Sequence, residues 1–290
     1  MLLSLQWELF SMEKREKQRI VMDIKILVAT HKKYKMPKDN MYLPIQVGAK
    51  GKQSFGFQRD DTGENISSSN PRMCELTAIY WAWKNLNADY IGLVHYRRHF
   101  TIVKRIRRLK VKDKFSIILS KEEAEGILKQ YDLILPNKRK YYIESIRSHF
   151  IHLPYTYEKD LNMFGETIRE LASDYYDAYE MVMNRSWAHM FNIFVMQKEH
   201  FDKYCEWMFP ILQEVDRKID ITGYTPMEAR VIGYFGEFML DIWNEKNKIP
   251  YKEVDVMLME KQNWIKKGSE FLIRKLMQSC RKKNKGNDKS

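Results

Sequence analysis

Short apolar runs alternate along the chain with longer segments in which apolar residues recur every three or four positions. Residues 23–29 and 90–94 form two such runs, and residues 70–86 between them carry the helical spacing. Apolar runs of this length indicate strands buried on both faces, whereas the longer periodic segment indicates an amphipathic helix. The alternation therefore predicts an α/β domain, a sheet flanked by helices.

The same alternation continues towards the C-terminus. It predicts a capped helix from Ser120, a strand at 131–135, two helices at 156–184 broken near Ser173, a strand at 190–196, a helix reaching Lys218 through Pro210, and a helix opening with Thr225 and Glu228. Residues 37–70 lack clear periodicity and are rich in Gly, Asn and Ser. A loop this long inside a compact domain is usually functional or disordered.

The apolar run at 90–94 is followed at once by ionisable residues, His95-Tyr96-Arg97-Arg98-His99. Open α/β sheets bind their ligands at the C-terminal ends of such strands. Adjacent arginines and histidines suit a ligand with several negative charges, such as a diphosphate. The alternative is that Arg97 and Arg98 only begin the basic run that follows and are solvated.

Two further stretches carry candidate site residues. Thr30, His31 and Lys32 end the first strand and suit nucleotide contacts, although basic loop residues without a ligand are about as common there. A helix is predicted to open with Asn70 as N-cap and Pro71 at its first position. Glu75 then falls in the first turn, where it either complements the helix dipole or holds an arginine or a sugar hydroxyl.

The helix after Thr225 carries a polar face made by Arg230, Gly233 and Glu237. Glycine in a helix costs about 1 kcal/mol relative to alanine, so Gly233 and Gly236 together indicate that a strand or a ligand approaches closely. Arg230 and Glu237 either line a cleft there or form an ordinary surface pair of little energetic weight.

Four other residues each allow two interpretations, one structural and one functional. A buried Asn192 needs hydrogen-bond partners, so it either joins an internal network or faces a polyhydroxylated ligand. Trp187 offers a flat face for a sugar ring or packs in the core. His149 and His152, three residues apart, have a spacing that suits a metal on one helix face, but no third ligand is close in sequence.

Composition and charge narrow the choice of partners. The 290 residues suffice for one large α/β domain, and the net charge of +12 is concentrated in two patches. Residues 97–114 hold nine Lys or Arg and one acid, and residues 261–290 hold ten Lys or Arg and two acids. Each patch suits an anionic ligand or surface, or is a solvated face. The second patch, an amphipathic end, either lies on an anionic membrane surface or docks on the protein.

The chain divides into three expected parts. Residues 1–21 read as an appended extension that is a poor signal peptide, with Met22 a candidate start; residues 22–260 form the main domain; residues 261–290 form the basic amphipathic tail. No apolar run is long enough to span a bilayer. Three widely spaced cysteines, Cys74, Cys205 and Cys280, indicate reduced thiols of a cytosolic protein.

Standard catalytic motifs are absent from the sequence. There is no P-loop, no G-x-G-x-x-G, no G-x-S-x-G and no H-E-x-x-H. The D-x-D tripeptide, the usual metal–diphosphate clamp of sugar-nucleotide transferases, is also missing.

Several segments together resemble the DUF4422 family: ILVATHK, PIQVG, CELTAIYWAWKN, YIGLVHYRR, HMFNIFVM and the helix with Arg230 and Glu237. The resemblance runs from about Asp23 to Tyr251 and covers neither the first 21 residues nor the basic tail. It implies a GT-A-like fold, a Rossmann-type mixed sheet flanked by helices with a helical C-terminal part. It further implies a bacterial glycosyltransferase of capsule, O-antigen or exopolysaccharide synthesis, cytoplasmic and peripheral at the inner face of the plasma membrane.

The resemblance also implies substrates. The donor would be a UDP-hexose, galactose or galactofuranose first, and the acceptor a lipid-linked oligosaccharide. Thr30, His31 and Lys32 would meet the nucleotide, and His95, Tyr96, Arg97 and Arg98 would replace the D-x-D motif. We expect no tightly bound cofactor and weak or no dependence on Mn or Mg, with His95 and Asp89 the residues that would help to hold a metal.

Within that framework, Glu237 is our hypothesis for the general base or the group that orients the acceptor hydroxyl, with Arg230 positioning it. Asn192, Trp187 and His152 would shape the acceptor side. Two alternatives stay open. A non-catalytic sugar-nucleotide scaffold would bind the donor without turnover, and a nucleic-acid binder would use the basic patches, although no motif that reads RNA or DNA is present.

Overall fold

A computed structural model describes residues 22–260 of the chain. The strands of this range are β1 Ile24–Thr30, β2 Tyr42–Gln46, β3 Gln58–Arg59, β4 Tyr90–His95, β5 Arg98–Thr101, β6 Leu133–Pro136, β7 Arg139–Lys140, β8 Trp187–Ala188, β9 Phe194–Gln197 and β10 Tyr251–Leu258. The helices are α1 Asn70–Met73, α2 Leu76–Asn85, α3 Arg105–Arg108, α4 Lys121–Leu128, α5 Ile146–His152, α6 Glu158–Leu171, α7 Tyr176–Asn184, α8 Lys198–Lys218 and α9 Val231–Asn247.

The principal sheet is mixed. β1 is parallel to both β2 and β4, and β3 is parallel to β2. β9 runs antiparallel between β4 and β6, and β6 is parallel to β10. β5 turns back from the end of β4, with His95 opposite Arg98. β7 and β8 form a separate two-stranded ribbon. This is the predicted Rossmann-type mixed sheet, so the expected fold class is confirmed.

Both faces of the central strands are buried, as the continuous apolar runs predicted. Because side chains alternate along a strand, Leu27 and Ala29 join the large core shared with the long helices, while Ile26 and Val28 are buried on the other face. On that second face the hydroxyl of Tyr42 donates a hydrogen bond of 2.7 Å to the Leu119 carbonyl. Burial on two faces forces ionisable groups to the ends of these strands.

The helix predicted from Asn70 is interrupted. α1 ends at Met73, Cys74 takes a left-handed backbone with φ of 53°, and α2 begins at Leu76. Asn70 is helical rather than an N-cap, and its side-chain amide donates to the Cys74 carbonyl at 2.7 Å. The break places Glu75 at the N-terminal end of α2.

The two glycines of α9 admit the interrupted helix. A Cβ atom on Gly233 would lie 2.7 Å from the Cys74 sulfur, and one on Gly236 would lie 2.8 Å from Leu76 Cδ1. Both distances are too short for real side chains, so only glycine allows α9 to pack here. A close approach at the two glycines is thus confirmed, but the approaching element is the junction of α1 and α2, neither the strand nor the ligand that was expected.

The long aperiodic stretch is ordered around one buried carboxylate. Asp60 accepts hydrogen bonds from the backbone N–H groups of Gly48 and Ala49 at 2.7 and 2.9 Å. It also accepts from the hydroxyls of Ser67 and Thr77 at 2.5 and 2.7 Å. These four donors tie the end of β2 to α2, so the stretch needs no periodicity of its own to be fixed.

Other predicted elements are found with shifted ends. The capping box at Ser120 and the break near Ser173 are confirmed. The strand predicted from Met190 begins only at Phe194, because Phe191 and Asn192 have left-handed φ values of 79° and 52°.

Two predicted segments, the extension of residues 1–21 and the tail of residues 261–290, lie outside the described residues. Within residues 22–260 no helix is long and apolar enough to cross a bilayer.

Candidate functional site

A cavity of about 490 Å³ opens where β1 and β4 end. Its lining residues come from six segments of the chain: Ala29, Thr30, His31, Val47, Asn70, Pro71, Cys74, Glu75, His95, Tyr96, Arg97, Arg98, Phe191, Arg230 and Glu237. The carboxyl ends of parallel strands are where open α/β sheets place their ligand sites. We call this space the charged cavity, because three arginines and two glutamates line it.

The β4–β5 turn supplies the cations of the charged cavity. The Arg98 guanidinium lies 4.3 Å from the centroid of the Phe191 ring, and that of Arg97 lies 5.0 Å from the Tyr96 ring. Burial and the charge of Arg97 both lower the pKa of Arg98. Partial burial, followed by Arg97 and Lys32, lowers the pKa of His31. This end of the cavity therefore carries a positive potential that favours an anionic ligand.

Two carboxylates face the same space from other elements. Glu75 accepts a hydrogen bond of 2.8 Å from the side-chain amide of Asn192, and its Oε1 lies 4.0 Å from His95 Nε2. Glu237 on α9 accepts a long hydrogen bond of 3.4 Å from the Phe191 N–H. Each acid is held by a neutral donor, and within residues 22–260 neither forms an ion pair with an arginine.

Glu237 has a strongly raised pKa. Burial and, next, the negative charge of Glu75 raise the pKa of Glu237 to about 7. The Phe191 N–H and the charges of Arg139 and Arg98 act in the opposite direction but are weaker. A carboxyl group with a pKa near 7 exchanges protons readily at neutral pH, which is the property of a general acid or base.

Three non-glycine residues with left-handed φ lie at the charged cavity or next to it: Cys74 and Phe191 line it, and Asn192 follows Phe191 in the chain. Each such residue costs about 1–3 kcal/mol and persists only where its surroundings fix it. The Phe191 carbonyl accepts a hydrogen bond of 2.6 Å from His95, which therefore carries its proton on Nε2, since a carbonyl oxygen cannot donate. The turn at 191–192 thus supplies an N–H to Glu237, an amide to Glu75 and an acceptor to His95.

Arg230 is anchored rather than free to pair with Glu237. Its Nε donates to the Cys74 sulfur at 3.1 Å. Burial, then the charge of Glu75, raises the pKa of the Cys74 thiol to about 11, so the sulfur accepts this bond as a neutral thiol. The predicted shared face of Arg230 and Glu237 is confirmed as part of a cleft, with the two side chains serving different neighbours.

Most sequence-predicted site residues meet at the charged cavity. Thr30, His31, His95, Tyr96, Arg97, Arg98, Arg230 and Glu237 all line it. Lys32 is exposed beside it, its ammonium nitrogen 5.3 Å from the centroid of the Tyr96 ring. The side-chain amide of Asn192 donates a hydrogen bond to Glu75, which lines the cavity. His99, by contrast, turns into the core against Tyr42 and Phe115.

Asp89 lies at the wrong end of the strand for the predicted role. It precedes β4, whose last residue is His95, and its carboxylate accepts from the Asp23 N–H at 2.8 Å. Six residues of strand separate the two side chains by about 20 Å. Asp89 and His95 therefore cannot hold one metal ion together. Among residues 22–260 no group of three His, Cys, Asp or Glu side chains has the geometry of a metal site.

Trp187 and His152 are also placed away from the charged cavity. Trp187 lies under Arg185 and Lys138, whose charged groups are 3.6 and 4.3 Å from its ring centroid. It lines a separate cavity of about 330 Å³. His152 is exposed and shares Glu144 with His149, at 3.3 and 3.1 Å. The contacts of His149 and His152 are thus those of an ion-paired surface cluster.

Cys74 and Phe191 were not predicted as site residues. Their importance comes from backbone conformation and from partners more than forty residues away, such as Arg230 for Cys74. The two glycines of α9 were the available signal for Cys74, because they indicated that something approaches closely.

The protein is a GT-A-like α/β protein. Its mixed Rossmann-type sheet carries a cavity with cations and acids at the ends of β1 and β4. The chain is similar to the apo structure of the bifunctional glycosyltransferase WbbM, with 28% sequence identity and a TM-score of 0.74. The match covers 82% of this chain and 46% of that one, so the chain spans about half the length of WbbM. No curated protein matches it.

The chain belongs to the family described as DUF4422, a domain of unknown function, which matches residues 25–248. The family assignment made from the quoted segments is therefore confirmed. The matched range contains every residue that lines the charged cavity.

Proposed function

We propose that the protein is a glycosyltransferase that moves a hexosyl group from a UDP-sugar to the hydroxyl of a saccharide acceptor. The observation that carries the proposal is the charged cavity, in which Arg97 and Arg98 face a carboxyl group of pKa about 7, Glu237. Similarity to a glycosyltransferase of the same fold supports it. Galactose or galactofuranose is the proposed sugar.

The cations act on the leaving group. When the bond between the anomeric carbon and the diphosphate breaks, negative charge develops on the departing UDP. Preorganised cations in a partly water-excluded site stabilise such charge far better than solvent does. Arg97 and Arg98 follow the end of β4 and line the cavity, and they take the role that a metal-holding D-x-D motif plays elsewhere. We therefore propose weak or no dependence on a divalent metal.

Glu237 acts on the acceptor. In its ionised form it takes the proton of the acceptor hydroxyl while that oxygen bonds to the anomeric carbon, so the products are the new glycoside, UDP and a protonated Glu237. The carboxyl group receives one N–H, from Phe191, which leaves acceptor capacity for the substrate. Arg230 is held by Cys74 and borders the cavity as a positioning residue.

The proposed acceptor is a lipid-linked oligosaccharide, used by an enzyme peripheral to an anionic membrane. Within the described residues, the segment 102–112 supports this. Ile102, Ile106 and Leu109 are 53%, 73% and 84% exposed among exposed lysines and arginines. Exposed apolar side chains interleaved with cations suit the surface of an anionic bilayer.

Vesicle sedimentation tests the membrane part of the proposal. Binding to vesicles of anionic phospholipid and not to neutral ones is expected, and Leu109→Glu together with Ile106→Glu should weaken it. Met181→Glu serves as a matched control, because Met181 is 59% exposed on α7 outside the basic segment. Equal binding of the double variant and the wild type would show that this segment does not contact the membrane.

The experiment that tests the activity is a thermal-shift screen against nucleotide sugars, with and without manganese, followed by detection of UDP release with saccharide acceptors. Stabilisation by one UDP-sugar and acceptor-dependent release of UDP are expected, with little change on adding EDTA. Stabilisation without any release would indicate a sugar-nucleotide scaffold. Absence of any response to UDP-sugars would contradict the proposal.

A further inference from the structure

A second, largely aromatic cavity of about 200 Å³ adjoins the charged cavity. Both spaces are bordered by Phe191 and Glu237. The walls of the second space come from the segment after β7, from α5 and the loop after it, and from α9, and they include Tyr141, His149, Phe150, Tyr155, Tyr234 and Phe238. We call it the aromatic pocket. A carboxylate that borders both spaces can serve a group bound in one and a group bound in the other.

The floor and rim of the aromatic pocket differ in chemistry. Phe150 and Phe238 are buried, whereas the phenols Tyr141, Tyr155 and Tyr234 are half-buried, and the Tyr234 hydroxyl donates to the Met227 carbonyl at 2.9 Å. Such a lining presents flat apolar faces to the C–H face of a ring, and hydrogen-bonding groups to hydroxyls around it. A pyranose has both features.

Packing holds the walls in place before any ligand arrives. The rings of Tyr155 and Tyr234 are 5.4 Å apart, and those of Tyr141 and His149 are 4.4 Å apart. Nδ1 of His149 lies 3.1 Å from the Glu144 carboxylate, which fixes the ring from behind. A preorganised site loses less conformational entropy when it binds a ligand.

The size of the aromatic pocket limits what fits. Its volume of about 200 Å³ is below the roughly 300–1,000 Å³ of sites for drug-sized ligands. One monosaccharide ring fits such a space, with the remainder of a chain extending outwards. The residues predicted for the acceptor side, Trp187 and His152, do not line it.

We propose that the aromatic pocket binds the terminal hexopyranose of the acceptor and presents one of its hydroxyls to Glu237. The inference rests on the proposed transferase function and adds to it the acceptor subsite. We choose Tyr155 as the specificity-determining residue to be tested, because it lines the pocket and its ring contacts that of Tyr234. Removing its ring opens one wall without touching the charged cavity.

Saturation-transfer NMR with a panel of methyl hexopyranosides, in the presence of UDP, tests the proposal. At least one of these glycosides should bind the wild type and Tyr155→Phe. Tyr155→Ala and Tyr155→Leu should weaken its binding at least tenfold, the leucine variant keeping volume in place of the ring. Calorimetry should give UDP affinities within threefold of the wild type for all three variants.

Tyr157→Ala is the matched control. Tyr157 lies two residues further on and also pairs with a tyrosine ring, that of Tyr224 at 4.9 Å, but it does not line the pocket. Glycoside binding should be unchanged in this variant.

The outcomes separate the two proposals. If the wild type binds UDP but no glycoside, or if Tyr155→Ala binds the glycoside as the wild type does, the subsite assignment is overturned while the transferase proposal stands. If the Tyr155 variants lose UDP as well, the pocket is not a separate acceptor subsite. If the wild type binds neither UDP nor a UDP-sugar, the transferase proposal itself fails.

Discussion

Two carboxyl groups one turn apart on α9 have opposite electrostatic environments. Glu237 and Asp241 occupy positions i and i+4 of the helix; Asp241 is buried, and Glu237 is half-buried at the charged cavity. Burial and Glu75 raise the pKa of Glu237 to about 7. Burial also raises the pKa of Asp241, but hydrogen bonds from His189 and the charge of Arg185 outweigh it, and the net result is a lowered pKa.

Direct contacts account for the difference. Asp241 accepts bonds from His189 Nδ1 at 2.6 Å and from the His189 N–H at 2.9 Å, and Arg185 lies 2.5 Å away. Glu237 has one long hydrogen bond, from a backbone N–H, and among the described residues no cation lies that close to it. A buried acid in contact with its cations is costly to remove, whereas an acid without such contacts at a cavity is available for chemistry.

The sharpest test of this comparison is Glu237→Gln. The change keeps size and hydrogen bonding but removes the base, so kcat should fall by roughly 10²–10⁴-fold. UDP affinity, measured by calorimetry, should stay within threefold of the wild type. Normal sugar transfer by the variant would show that Glu237 is not the base.

Asp241→Ala should affect stability instead. Removing one partner of a buried ion pair costs about 3–5 kcal/mol. Arg185 and His189 would keep only their longer contacts, with Glu245 at 3.7 Å and Glu253 at 3.6 Å. Urea denaturation measures the loss. Glu245→Gln is the control: Glu245 lies 3.7 Å from Arg185 and also pairs with Lys248 near the surface, so its loss should cost under about 1 kcal/mol. An equal loss of unfolding free energy in the two variants would show that Asp241 is no more important to the fold than a surface acid.

Arg97→Ala and Arg98→Ala should each weaken UDP binding. Hydrogen bonds to charged groups contribute about 1.5–3 kcal/mol, which corresponds to roughly 10–150-fold in affinity. Arg107→Ala is the matched control from the exposed part of the same basic run. Unchanged UDP affinity in both cavity variants would show that these arginines are solvated surface charges.

The pH dependence should differ in sign for the two acids. The raised pKa of Glu237 means that the folded state binds more protons than the unfolded one between about pH 4.5 and 7, so its contribution to stability falls as pH rises through that window. Glu237→Gln should therefore gain stability relative to the wild type over this range. The lowered pKa of Asp241 acts oppositely: its stabilisation is lost as pH falls.

The smallest effect is expected for Glu75→Gln. The substitution removes the negative charge that helps to raise the pKa of Glu237 but leaves an oxygen to accept the Asn192 amide. The pH–rate profile, which should rise with an apparent pKa near 7 in the wild type, should move to lower pH. A profile that does not move would show that burial alone sets the protonation of Glu237.

Local patterns predicted much of the architecture and of the cavity. β1 and β4 were evident as apolar runs, and the arginines after β4 stand where the fold places a ligand. The network around Asp60 was not predictable, because its four donors are spread over residues 48–77 without periodicity. Asp89 was misplaced because a residue next to a strand in sequence can lie at either end of it.

The sequence by itself determined the class of fold, the strand that carries the cations and the helix face with Arg230 and Glu237, since periodicity and composition act over a few neighbouring residues. Tertiary structure decided the left-handed turn at Phe191, the contact of Asn192 with Glu75 and the pairing of Asp241 with His189. Glu75 and Asn192 are 117 positions apart. Only packing brings such groups together, and the protonation of a buried carboxyl group depends on which of them it meets.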